Sequence, residues 1–308
     1  MPLLKRRRIL AGKIETTIGT AETLTATEAA MNIRDVEVQS EIESIERPGQ
    51  SAFSPLCSSR AGDTGRVTFT TDLTGDGAAG TPLWASTFLP ACGFVVATGT
   101  FSPNSAAPGS ATKTCTIGVY QDGLFKRLKG CQGTAVINLP AGRPASIDFD
   151  FMGVWDAPTD VALLTPTYPT VKPLRFVSST LTLGGSGFTP LSSITIDLGN
   201  DIAMREDATT ASGYISALIG GRRITGSMNP EATLVGTEDY YGDWIALTEQ
   251  ALSLTLTDGT DTVTIAAPKL QFTNVQEGER DNLQTDDIEF QCNRSAAAGD
   301  DELTIDFS

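Results

Sequence analysis

The chain has 308 residues, 40% of them hydrophobic and 7% aromatic, which is enough to bury a sizeable core. Its 37 acidic and 22 basic residues give a formal charge of −15, a balance that repels nucleic-acid phosphates. With no histidine, Ser-His-Asp and Cys-His catalysis, histidine-ligated zinc and the usual pH switch are excluded, while carboxylate, lysine and tyrosine chemistry stay open.

Abundant Thr, Ser and Gly, 16 scattered prolines and the lack of long helical periods predict an all-β architecture with many turns. Cys57, Cys92, Cys115, Cys131 and Cys292 are odd in number and form no C-x-x-C pair. They read as buried free thiols of a reducing compartment, with Cys115 and Cys131 on strands that could be neighbours. Near the N-terminus, Lys5-Arg6-Arg7-Arg8 precedes an apolar run that Lys13 and Glu15 cut short. No signal-peptide core forms there, and no stretch approaches the ~20 apolar residues of a membrane helix. A soluble intracellular protein without a membrane anchor is expected.

In chain order, residues 1–30 predict an extended arm: a basic cluster, then Thr- and Ala-rich sequence with little periodicity. A first domain is expected over residues 31–155. Its first strands are Ile33–Val38 and Glu41–Glu46, closed by Arg47-Pro-Gly49, and they carry Glu37, Glu41, Glu43 and Glu46. Val67, Phe69, Thr71 and Leu73 then alternate with Arg66, Thr68, Thr70 and Asp72, the period of a half-buried strand. A turn rich in glycine (Gly75, Gly77, Gly80) leads to Trp84, Phe88 and Leu89, spaced for one face of a short helix. Further strands at 94–96 and 114–120 flank the polar, turn-rich loop Ser102–Ser110, and 135–139 and 146–151 complete the half. In the last of these, Ile147, Phe149 and Phe151 face inward and Asp148 and Asp150 outward.

Residues 156–173 carry Pro158, Pro166, Pro169 and Pro173 and almost no alternation, which predicts a connector. A second domain is expected over 174–308. Five features of the first half recur there in the same order: Ile33 with Ile194, Thr64-Gly65 with Thr225-Gly226, Trp84 with Trp244, Thr114-x-Thr-Ile with Thr262-x-Thr-Ile, and Ile147-x-Phe with Ile288-x-Phe. Such ordered recurrence predicts a duplicated domain. Gly65, Trp84, Gly226 and Trp244 are its scaffold candidates, each tryptophan opening a short helix and lying in the core beneath it.

Three motifs offer chemistry and have plainer readings. Gly75-x-Gly77-x-x-Gly80 has the form of a dinucleotide fingerprint. No acidic residue lies between Asp76 and Asp122 to bind a ribose, so a turn is expected. Asp72-x-Thr74-x-Asp76-Gly77 opens like a calcium loop, but Leu83 stands where its twelfth residue must be glutamate. Glu41 with Glu43, or Asp148 with Asp150, has the form of a glycosidase acid pair. Outward acids on the strands of so acidic a chain read first as solvated.

The start Leu4–Thr20, with Lys5-Arg6-Arg7-Arg8 and Gly19, resembles the N-terminal arm of tail tube (major tail) proteins of long-tailed, non-contractile bacteriophages. Arg60–Phe69, the Tyr168–Pro173 connector, and Ala267–Gln271 with Glu277–Asn282 extend the resemblance over nearly the whole chain. The resemblance implies two tandem β-sandwich domains, each with a short flanking helix, and a structural subunit without catalytic residue, cofactor or metal. It further implies self-assembly into rings that stack as a hollow conduit for DNA, in the virion tail, assembled in the host bacterial cytoplasm. Three duplicated chains would supply six domains, a trimeric pseudo-hexameric ring. Tail tip, tape measure and tail terminator proteins are the implied partners, and DNA passes without specific binding. The basic cluster Lys5, Arg6, Arg7 and Arg8 is then a contact to an acidic face of a neighbouring ring. The alternatives from other classes are a soluble β-sandwich binding module (baseplate, fibre or carbohydrate-binding subunit) and a carboxylate glycosidase.

Overall fold

The computed structural model describes residues 3–50, 53–109, 112–177, 179–187 and 190–308. Ser110, the last residue of the polar loop, lies outside them. The protein is mainly β, as expected. Arg8–Ile14 (β1), Ile33–Arg47 (β2) and Leu56–Asp72 (β3) precede the helix Leu83–Ala91 (α1). Phe94–Ala97 (β4), Thr100–Pro103 (β5), Cys115–Gln121 (β6), Leu124–Pro140 (β7) and Ser146–Asp160 (β8) follow. After the connector come Thr180–Leu183 (β9), Ser186–Gly187 (β10), Leu191–Asp197 (β11), Asn200–Glu206 (β12), Tyr214–Arg222 (β13) and Thr225–Pro230 (β14). The helix Tyr240–Ala246 (α2) leads to Glu249–Thr257 (β15), Thr262–Arg280 (β16), Leu283–Cys292 (β17) and Thr304–Phe307 (β18).

The first half pairs its strands in the order β1-β6-β7-β8-β3-β2. The second pairs β9-β15-β16-β17-β14-β11. All these pairs are antiparallel. A helix follows β3 in one half and β14 in the other.

The halves meet because β7 is longer than its neighbour. β6 covers β7 only as far as Cys131. Farther along, β11 takes the bare edge, with Leu139 opposite Ile194 and Ile137 opposite Ile196. A second join is made by β18, which pairs with β16 on one side and with β5 of the first half on the other. The two halves are therefore sewn into one sheet over a core cluster that runs from Leu10 to Phe307.

Alternation builds that core. Phe69, Phe149 and Phe151 project from β3 and β8 onto one face, where Phe88 of α1 meets them with ring centroids 4.8 to 5.6 Å away. Trp84, also on α1, is buried against Phe307 at 5.7 Å, and its Nε1 donates to Thr74 Oγ1. Leu89 completes the buried face expected from the Trp84, Phe88, Leu89 spacing.

Residues 1–30 are not a free arm from Arg8 onward. β1 pairs with β6 along its length, and Leu10 and Ala11 are buried. Gly12 of β1 sits under the Phe88 ring, where a Cβ would approach to 2.6 Å. Small residues at the inward positions hide this strand from an alternation test. The buried Glu15 then ties the segment down, accepting from Gly19 N, Gly130 N, Thr114 Oγ1 and Thr116 Oγ1 at 2.7 to 2.8 Å. The connector also begins later than residue 156, since β8 runs on through Asp160 with Pro158 on its exposed end.

The aromatic cluster sets a stability expectation. Phe149→Ala removes a side chain in contact with Phe69, Phe88, Phe151 and Trp84. It should lower unfolding free energy by about 3–5 kcal/mol, read from the midpoint of a denaturant titration.

Candidate assembly surface

Eight strands run without a break in the order β2-β3-β8-β7-β11-β14-β17-β16. Their inward residues fill the core, and their outward residues form one polar face. On β3 and β8 that face carries Arg66, Thr68 and Thr70 beside Asp148 and Asp150. On β11, β14 and β17 it carries Thr195, Ser227 and Glu289 in one cross-strand row. Asp197, Asp287, Glu37 and Glu41 give it an excess of acid over Arg34 and Arg66.

Its acids are held by cross-strand donors. Arg66 Nε donates to Asp150 Oδ1 at 2.7 Å, and the hydrogen-bonded carboxylate raises the arginine further above its ordinary value. Asp148 accepts from Thr70 Oγ1 at 2.6 Å and from Asn138 Nδ2 at 2.8 Å. Arg34 pairs with Asp72. These bonds fix the carboxylates within the sheet, a geometry suited to a lining.

At both ends of the arc the sheet stops on an open edge. β2 pairs with β3 on one side and, among the described residues, with no strand on the other. β16 is covered by β15 only as far as Gln271, so among the described residues Phe272–Arg280 has β17 on one side and no strand on the other, where α2 reaches only the Thr273 carbonyl through Trp244. Exposed apolar side chains gather on the β2–β3 hairpin (Ile42, Ile45, Leu56) and around α2 (Leu234, Ile245, Leu247).

The scaffold glycines permit close approach. A Cβ at Gly65 would stand 2.9 Å from the Trp155 ring, and one at Gly226 would stand 2.3 Å from the Phe290 ring. The ladders do not make the two glycines equivalent. Phe149 lies opposite Phe69, whereas Phe290 lies opposite Gly226, so matching Phe149 with Phe290 puts Gly226 at the position of Phe69. Trp244 departs from its expected role too. It lies toward the end of α2, is half-buried, and donates Nε1 to Thr273 O at 3.0 Å. The helix starts instead at Asp239, whose carboxylate accepts from Gly242 N.

The glycine-rich turn is an anion cradle occupied by the chain itself. Gly77 N and Ala79 N donate to the buried carboxylate of Asp261 at about 3.1 Å, which docks this first-half loop on the β15–β16 turn. Sequence reasoning passed over Asp261 because its partners lie far away in the chain.

The basic cluster divides. Arg7 bonds Asp122 at 2.5 Å, and Arg8 donates to Val36 O and to Gln121 Oε1. Lys5 and Arg6 remain exposed. Cys115 and Cys131 do lie opposite one another on β6 and β7, and both are free. Burial raises both thiols, and Cys292 is pushed up to about 12 by burial. Cys57, against expectation, is exposed.

Behind the sheet Arg222, its side chain only 8% exposed, bridges Asp300 at 3.1 Å and Glu302 at 2.6 Å. Asp300 also accepts from Ser105 N, tying the polar loop to the C-terminal turn.

These features define a β-rich structural protein, organised around one long sheet with a polar face. Residues 5–292 match the family model described as phage tail tube protein, and the chain belongs to that family. It is thus a tail component of a kind that self-assembles into a tube. No curated protein matches the sequence. Among the described residues, no helix is long and apolar enough to cross a membrane.

Two outcomes follow. Gly226→Ala should cost roughly 1–3 kcal/mol, because the added methyl must displace the Phe290 ring or the Thr195 carbonyl; thermal denaturation reads it. For Asp300, burial works to raise the carboxyl, but the bonds from Ser105 and Arg222 prevail and hold it below its ordinary value. Its ionised form therefore adds stability above the ordinary carboxyl range, and that share is lost as pH falls through the lowered folded value. Asp300→Asn should lower the melting temperature at pH 7 and flatten its fall between pH 5 and pH 3.

Proposed function

We propose that the chain is the repeating subunit of a non-contractile phage tail tube, in which the eight-stranded arc forms the wall of the lumen. The observation that carries this reading is the arc itself: one polar face, one core face and an open edge at each end. A sheet of this form satisfies its edges by pairing with further copies, and closed pairing removes edges altogether. The repeated strand order of the two halves supports a duplicated unit and a ring of three chains. Three arcs make a barrel of about 24 strands. At spacings of about 4.8 Å and a tilt of about 40°, it measures about 48 Å across the backbone. A Thr-, Ser- and Asn-rich lining with excess carboxylate, its Arg34 and Arg66 already paired with Asp72 and Asp150, offers a phosphate backbone no net counter-charge, so DNA slides instead of binding.

Rings then stack into a conduit for genome delivery in the virion tail, assembled in the host cytoplasm. Lys5 and Arg6, the free part of the basic cluster, reach an acidic face of the adjoining ring. Arg7 and Arg8 serve inside the subunit. Tail tip, tape measure and terminator proteins act at the tube's ends and interior, and the subunit performs no catalysis.

Negative-stain microscopy of the concentrated protein, with and without tail tips as nuclei, should show three-fold rings or tubes of uniform bore. A monomer that never assembles under either condition would sink the reading. Lys5→Glu with Arg6→Glu should leave rings intact and shorten the tubes severalfold, measured as contour length.

A further inference from the structure

We infer that the seam between the two halves of one chain is the template for the seam between copies. β2 of one copy pairs antiparallel with Phe272–Arg280 on β16 of the next. This rests on the tube reading and specifies which edges meet and in what register.

Two cross-sheet rows correspond. Ile33, Thr71, Ile147 and Ile137 face one another across β2, β3, β8 and β7. Ile194, Met228, Ile288 and Val275 do so across β11, β14, β17 and β16. In these rows β11 stands where β2 stands, and β16 where β7 stands. Inside the chain β11 is already seated on β7. The same relation applied once more seats β2 on β16, the two edges that pairing within the chain leaves open.

Register transfers with it. Thr195 lies opposite Asn138 and Ile196 opposite Ile137. Their counterparts place Arg34 opposite Gln276 and Val36 opposite Val275, with Glu37 opposite Asn274 beyond them. Asp35, at φ 53°, is the extra residue of a β2 bulge and is absorbed between the first two pairs. The chemistry agrees: Val36 and Val275 continue the apolar core across the seam, and no like charges are opposed.

The hairpins extend the parallel. Beyond Gly199, β12 and β13 continue the β11–β14 pair and lie along β7, where Asn200 Nδ2 donates to Gly133 O and Ile219 N to Gln132 Oε1. The equivalent outer part of β2–β3 leaves Ile42, Ile45 and Leu56 46%, 53% and 51% exposed. The next copy covers them.

The test uses the full chain carrying Cys57→Ser, which removes the exposed thiol. Adding Arg34→Cys and Gln276→Cys, then oxidising the assembled rings, should give a covalent ladder on a non-reducing gel that ends at three chains. A pair one residue out of register, Arg34→Cys with Glu277→Cys, should link at least tenfold less. Rings that form with normal diameter but do not link at 34 and 276 overturn the seam while leaving the tube reading intact. Failure of the parent chain to form any ring overturns the tube reading, and the seam with it. Where the double variant does not assemble, hydrogen exchange on the parent chain decides. Amides at 33–38 and 273–278 should gain at least tenfold protection on assembly, and unchanged exchange there overturns the proposal.

Discussion

The structure depends on one mismatch of length: β7 outruns β6, and the bare edge from Val136 to Pro140 must be satisfied. An unpaired strand edge exposes a row of donors and acceptors that recruits any compatible strand. Here β11 meets that need within the chain. The pairing turns two similar halves into one sheet, brings their polar faces into line, and fixes the direction in which the arc grows. The β18 join to β5 and the bond from Ser105 N to Asp300 then lock the halves from behind.

The same economy governs the charged groups. A chain of −15 would be expected to leave many carboxylates solvated. Several instead act as fasteners between distant segments. Asp261 holds the glycine-rich turn, Glu15 anchors β1 to β6 and the β7 bulge, and Asp150 spans β8 to β3 through Arg66. Bonds from backbone N–H groups and guanidinium to ionised acceptors are among the stronger hydrogen bonds a protein makes, and a buried carboxylate requires them. What resembled a nucleotide motif is the same device: positive-φ glycine lets amides converge on an anion, and the anion is a side chain of this protein.

Legibility in the sequence followed the range of the interaction. Where one strand buries large residues on a period of two, as at Ile147, Phe149 and Phe151, the inward face was readable directly. The α1 face of Trp84, Phe88 and Leu89 was equally plain. β1 was not, because Ala11 and Gly12 are small and its partner β6 lies a hundred residues on. Ile33 and Ile194, and Ile147 and Ile288, hold like places in their ladders. Thr-Gly at 64–65 and 225–226 does not, since each glycine there answers a different neighbouring ring. Trp244 misled for a similar reason: Phe307 of β18 covers Trp84 on α1, whereas Trp244 lies partly open on α2. The join of β7 to β11 left no local trace at all, because strand length matters only once the partner strands are in place.

An open edge at each end of the arc is also a hazard, and the sequence carries a restraint on it. β2 bears Glu37, Glu41, Glu43 and Glu46, and the facing edge of β16 bears Glu277 and Glu279. Charged edges oppose indiscriminate pairing between copies that meet at random, since most registers place like charges together. The register carried over from β11 on β7 avoids that penalty, since it sets Arg34 opposite Gln276 and Glu37 opposite Asn274. A seam of this kind is weak for two free subunits and stronger once a ring or tail tip holds several in place, because each added strand then orders fewer freedoms. Edge charge and edge pairing thus act together: the first keeps the subunit from sticking at random, and the second gives growth a single direction.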